Sequence, residues 1–167
     1  MYRKIDDFMQ SWDYEAKGTQ KILDALTDQS LSQAVAKDHR TIGRMAWHLV
    51  TTIPEMMGHT GLSVGGADPH SLTPADAATI KKSYAAVAKA LGDEVRAKWQ
   101  DAALEVEDNM YGETWKRGVT LTALLMHQAH HRGQLTVLMR QAGLRVPGVY
   151  GPALEEWSQY GQPAPPV

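Results

Sequence analysis

The chain contains no cysteine and only one phenylalanine among its 167 residues. Without thiols there can be no disulfide, no thiol nucleophile and no thiolate-held zinc, so any metal must be bound by nitrogen and oxygen. A surplus of charge is missing as well. The formal net charge is -2, which leaves no basic footprint for nucleic acid. Long apolar runs are also absent. No stretch approaches the ~20 apolar residues of a membrane span. The N-terminal "MYRKIDDFMQSWDYE" mixes both charge signs where a signal peptide would carry an apolar core. These absences predict a cytoplasmic protein that engages neither nucleic acid nor membrane. The length suits one domain able to bury its own core without covalent staples. Residues 1–160 are read as that domain, and the Pro- and Gly-rich 161–167 as a tail.

What is present is helical periodicity. Ile5, Phe8, Met9, Trp12, Ala16, Thr19, Leu23 and Leu26 recur at steps of three and four and predict helix one over residues 5–26. The stretch "TIGRMAWHLVTTIPEMM" predicts helix two. Pro54 is expected to kink or end it just past His48, because the Val50 carbonyl loses its helical partner. Helix three is predicted from Thr73 as N-cap, with Pro74 in the first helical position and Asp76 closing a capping box, to about Trp99. Around Gly112, "ALEVEDNMYGETWKRG" loses the period and reads as a short hairpin or extended loop. Helix four is expected over residues 120–142, closed by Gly143, with a short terminal helix around Trp157. The fold class is therefore all-α, a four-helix bundle with a short C-terminal helix. Its long connections exceed the turns of an up-and-down bundle and predict crossovers or loops that cover a site.

Three of the seven histidines fall within "MHQAHHRGQ". His127 and His131 are four residues apart, about 40° around a helix and ~6 Å along it, close enough for both imidazoles to reach one ion. They share a stripe with Leu124, Gln134, Leu135 and Leu138, which directs them inward, whereas His130 points to one side. On helix two, His48 lies with Met45, Leu49 and Thr52 on the apolar face. Three neutral imidazoles from facing helices would leave coordination positions open, the pattern of a catalytic metal site. Hydrogen-bonded core histidines are the alternative, and the residues by themselves leave both readings standing.

Other residues carry narrower expectations. Glu55 is either a base near the histidines or a salt-bridge partner. Arg132 should pair with a carboxylate, Gln134 should hydrogen-bond near the site, and Gly133 should permit close helix approach. Tyr111 and Trp115 either wall the pocket or pack in the core. His39, His59 and His70 read as surface residues.

The segments "AWHLV", "MYGETW" and "MHQAHHRGQLTVLMRQAGLRVPGVYGP" closely resemble the DinB/YfiT-like proteins, and the likeness covers nearly the whole chain. The resemblance implies a four-helix bundle with nonstandard helix order, a divalent metal held by three histidines, and frequent homodimers. By motif, the ligands are His48, His127 and His131. Zinc or nickel comes first, with iron, copper and manganese as alternatives, since imidazole suits several of these ions. Relatives of this fold include transferases and isomerases that use low-molecular-weight thiols. The resemblance thus implies a metal-dependent enzyme acting on a small molecule, by thiol-dependent S-transfer or isomerisation, or by hydrolysis. The rival is a noncatalytic metal-binding stress protein acting through dimerisation or ligand capture.

Overall fold

The computed structural model describes residues 1–68 and 70–166; Pro69 and Val167, the last residue of the expected tail, lie outside the described residues. The amphipathic segments form α1 (Ile5–Asp24), α2 (Ile42–Gly58), α3 (Ala77–Lys98) and α4 (Arg117–Gln141). Both α3 and α4 pack against α1 and against α2, so the order around the bundle is α1–α3–α2–α4. Helices consecutive in sequence, α1 with α2 and α3 with α4, occupy opposite corners. This is the nonstandard order, and the long connections cross the bundle ends to make it. Among the described residues no helix is long and apolar enough to cross a membrane.

Phe8, Trp12, Leu49, Ile80, Leu91 and Leu124 are among the buried side chains that meet in the core. Each contributes about 1.5–3 kcal/mol on burial. Where α1 packs against α3, Met9 closes over Gly92: a Cβ there would lie 3.2 Å from Met9 Cε, tighter than ordinary contact. Beside it Trp12 Nε1 donates to the Ala88 carbonyl at 3.0 Å. Gly133, by contrast, does not mediate helix approach: a Cβ there would meet nothing within 4 Å. It lies on the solvent side of α4.

Three expected boundaries shift. Helix α2 continues through Pro54 to Gly58 and does not end after His48. Proline removes one backbone bond, while Ile53, Met56 and Met57 remain buried and hold the last turn to the core. Helix α3 starts after Asp76, not Thr73. Asp76 Oδ1 accepts from the Thr79 N–H at 2.7 Å, and Asp28 Oδ1 accepts from the Ala77 N–H at 2.7 Å. Two free N–H groups of the first turn are thus satisfied, one of them by a residue 49 positions away. Helix α4 begins at Arg117 because a hairpin runs directly into it. At its start Gly118 is packed so that a Cβ would lie 2.6 Å from the Tyr2 carbonyl oxygen. At its end Leu144 N–H bonds the Met139 carbonyl and Gly143 N–H the Arg140 carbonyl. With Gly143 at φ 73°, this is the left-handed cap that the sequence predicts.

The hairpin pairs β1 (Glu107–Met110) with β2 (Glu113–Lys116) in antiparallel register, Met110 opposite Glu113. Its two-residue turn has positive φ at both Tyr111 (57°) and Gly112 (90°), as the type I′ turn that matches strand twist requires. The short helices are 3-10 segments at Asp28–Ser32, Asp101–Glu105 and Leu154–Tyr160. The last contains Trp157; the first two carry no helical period in the sequence.

Candidate metal centre

Helices α2 and α4 are neighbours in the bundle. His48 lies midway along α2, and His127 and His131 lie one turn apart on α4, so packing of these helices brings the three rings together. Ring centroids are 4.9 Å apart for His48 and His127, 4.7 Å for His48 and His131, and 4.4 Å for His127 and His131. One nitrogen from each ring lies within 4.8 Å of the others. His48 Nε2 and His127 Nε2 are 3.1 Å apart. Two nitrogens bound to one ion at about 2.0–2.1 Å in tetrahedral array stand about 3.4 Å apart, so this spacing suits a shared cation.

Hydrogen bonds orient two of the rings. The Thr52 hydroxyl donates to the His48 carbonyl at 2.7 Å, so its oxygen is left to accept from His48 Nδ1–H at 3.2 Å. Gln134 Oε1 accepts from His131 Nδ1–H at 2.7 Å. With a proton on Nδ1, each ring keeps a lone pair on Nε2 for a ligand. His127 Nδ1 is buried with no hydrogen-bond partner among the described residues. Burial, reinforced by the neighbouring histidines, pulls the imidazoles down to about 3 at His48 and about 4 at His127. Burial likewise lowers His131, against the Gln134 bond, which raises it. All three are neutral at pH 7, the form that binds metal. Nitrogen donors, neutral rings and two fixed tautomers fit a divalent transition ion.

A cavity of about 610 Å³ opens beside His48 and His127, lined also by Arg40, Arg44, Glu55, His70, Tyr111 and Trp115. A second, of about 440 Å³ and mostly apolar, opens beside His131 between Val35, Met45, Val137 and Leu138. Arg40 borders both. Tyr111 and Trp115 are therefore cavity walls, with rings 6.2 Å apart. The hairpin turn places Tyr111 so that its hydroxyl donates to Glu55 Oε2 at 2.8 Å. Burial and this carboxylate raise the phenol's pKa, which keeps it protonated. Glu55 Oε1 also lies 3.4 Å from His59 Nε2, so it both lines the cavity and has partners.

The remaining expectations divide. His130 is exposed, with its ring edge-on to His131 at 4.8 Å. Gln134 bonds His131 as expected although it faces solvent. His39 and His70 are exposed yet line the two cavities, which their place in connections does not reveal. Arg132 pairs with Glu15 at 2.5 Å and also bonds the Tyr150 hydroxyl and Thr19. Beside it the buried Gln128 accepts from Tyr84 at 3.1 Å and donates to the Leu49 carbonyl at 3.2 Å. These polar groups occupy the core face of α4 and secure the helix that carries two of the histidines. Sequence reading missed Arg40 and Arg44. The signal for Arg44 was available: Arg44, His48 and Thr52 recur every four residues, one stripe of α2.

The model of the DinB family matches residues 1–164. An uncharacterized protein of Bacillus subtilis (strain 168), YrdA, is 42% identical over 165 residues, 99% of each chain. The crystal structure of a DinB-like protein from Bacillus cereus superposes with a TM-score of 0.87 at 47% identity, covering 90% of this chain and all of that one. A DinB-like protein of Bacillus subtilis, YjoA, shares the fold at a TM-score of 0.67 and 16% identity, over 86% of this chain and 97% of that one. The sequence match over nearly the entire length and the shared four-helix architecture place this chain in the DinB family.

Proposed function

We propose that His48, His127 and His131 hold a divalent metal ion, zinc or nickel before iron, copper or manganese, and that the protein acts there on a small molecule. The observation that carries this reading is the convergence of three neutral imidazoles, one nitrogen from each within 4.8 Å of the others, beside an open cavity. A bound cation supplies Lewis acidity toward an oxygen or sulfur group brought to it. The chain's own groups hold and shape the site. Thr52 and Gln134 orient the rings, Tyr111 and Trp115 form a wall, and the apolar cavity beside His131 offers room for a second group. Two chambers meeting at one centre suit transfer involving a low-molecular-weight thiol or an isomerisation better than simple hydrolysis. The noncatalytic reading, metal or ligand capture, has its support in Glu55: among the described residues it is the one carboxylate lining the larger cavity, and Tyr111 and His59 already engage it.

Elemental analysis of untagged protein purified without a metal column tests the metal. One equivalent in the parent chain and none in His127→Ala is the expected result. Turnover of thiol and electrophile pairs that stops on chelation would favour the enzyme, and tight metal binding without turnover would favour capture. A homodimer belongs to the same proposal. Trp12, Trp47 and Trp99 are buried in the chain's own core, so the support lies instead on α4, where Val119, Met126 and Val137 are exposed. Sedimentation at micromolar concentration tests it.

A further inference from the structure

The guanidinium of Arg44 is unusual among the cationic groups. Its Nη1 is buried and has no hydrogen-bond partner among the described residues, although Arg44 lines the 610 Å³ cavity. A buried guanidinium nitrogen without a partner loses its hydration without replacement, a cost that a bound anion would relieve. Arg40 lines the same cavity, and neither arginine has an ion-pair partner among the described residues. Glu55 does not serve them, being engaged by Tyr111 and His59. Among the described residues the cavity therefore brings two guanidinium charges against one carboxylate, next to histidines that are themselves neutral. Both arginines line the same cavity as His48 and His127, the space where a reacting group would lie.

We infer that Arg40 and Arg44 form an oxyanion-recognition site, and that the small molecule acted on at the histidine centre carries a carboxylate or phosphate group which these arginines hold. The inference rests on the histidine cluster being the reaction centre, but the arginines' affinity for an anion does not depend on a metal. A guanidinium offers its donors in a planar fork that matches both kinds of oxyanion. Arg44 stands one helical turn before His48 on α2. An anionic group held by Arg44 would leave the rest of a short molecule directed along the helix toward His48 and His127. The neutral wall of Tyr111 and Trp115 adds no competing charge. A positive cavity also concentrates anionic substrates before they dock.

The experiment is calorimetric titration of metal-stripped protein with inorganic phosphate and, separately, with succinate, alongside Arg44→Gln, Arg40→Gln, Arg44→Lys and His48→Ala variants whose folding is checked by circular dichroism. Saturable binding of at least one probe is expected. It should weaken about tenfold or more in Arg44→Gln and in Arg40→Gln, with partial retention in Arg44→Lys, which keeps the charge and loses the fork. Preference for phosphate or for succinate identifies the kind of oxyanion. His48→Ala should still bind the anion while losing metal, which separates the two sites. No saturable binding of either probe, or binding unchanged in both glutamine variants, would overturn the inference and leave the metal reading intact. Loss of metal binding by the parent chain, with anion binding preserved, would do the reverse.

Discussion

The Thr52 hydroxyl is the most informative single group to remove. It donates to the His48 carbonyl at 2.7 Å and, with its one proton committed there, accepts from His48 Nδ1–H at 3.2 Å. Thr52→Val keeps the shape and deletes the acceptor. His48 then loses the bond that fixes its tautomer, and Nδ1 faces a methyl group on a residue that is only 6% exposed, where water cannot easily replace the oxygen. Outer hydrogen bonds to metal-binding histidines are worth about 10–100-fold in metal affinity. Burial places Thr52 at the upper end, about 100-fold, or ~2.7 kcal/mol. Gln134 makes the same kind of bond to His131 but is exposed to solvent. Water can stand in for its amide, so Gln134→Ala should cost about tenfold. Competition titration of zinc against a chromophoric chelator measures both, with Thr52→Ser expected near the parent value. If Thr52→Val binds zinc as tightly as the parent chain, the Nδ1 bond does not orient the ring. If it weakens binding no more than Gln134→Ala, burial is not what sets the difference.

Other perturbations separate the histidines, the pH response and the scaffold. His127→Ala and His131→Ala should abolish stoichiometric metal while His130→Ala keeps most of it, and retention by His131→Ala in a metal analysis would contradict the ligand set. Because folded-state values of about 3 at His48 and about 4 at His127 lie below 6.5 in the unfolded chain, the unfolded state takes up protons first as pH falls. Metal-free protein should keep this stability above about pH 6.5 and lose it progressively through the window down toward pH 3, which urea midpoints would show; a midpoint that rises on acidification to about pH 5 would refute the assignment. Glu155, held at about 2 by Arg140, adds its own loss from the ordinary carboxylate value of 4.5 downward, so the stretch from about pH 6.5 to 5 is where the histidines are read apart from it. Glu15→Ala should remove about 3 kcal/mol, the low end for a buried pair, since Arg132, 3% exposed in its side chain, keeps Tyr150, Thr19 and the Glu15 carbonyl. The melting temperature should fall by roughly 6–12 °C, and a change below about 1 kcal/mol would mean the pair is readily replaced by water.

The sequence alone determined the four helices and most of their buried stripes, because a 3.6-residue period is a local property that each segment carries in its own residues. The pairing of His127 with His131 was legible for the same reason, and so was Gly143 as the end of α4, since a left-handed cap favours glycine. His48 was legible too, as an inward histidine on the apolar stripe of helix two, and the motif resemblance pointed to the same residue. Only the tertiary structure decided that His48 meets them, because the α1–α3–α2–α4 order that makes α2 and α4 neighbours depends on how long connections cross the bundle ends. The same is true of the start of α3, where Asp28 reaches in from a distant turn, and of Arg132 and Gln128, polar residues on a core face whose partners lie on other elements. Arg40 and Arg44 show the division most clearly. The four-residue step from Arg44 to His48 is written in the sequence, but whether an arginine on a helix finds a carboxylate or faces a cavity unpartnered depends on what the rest of the fold brings opposite it.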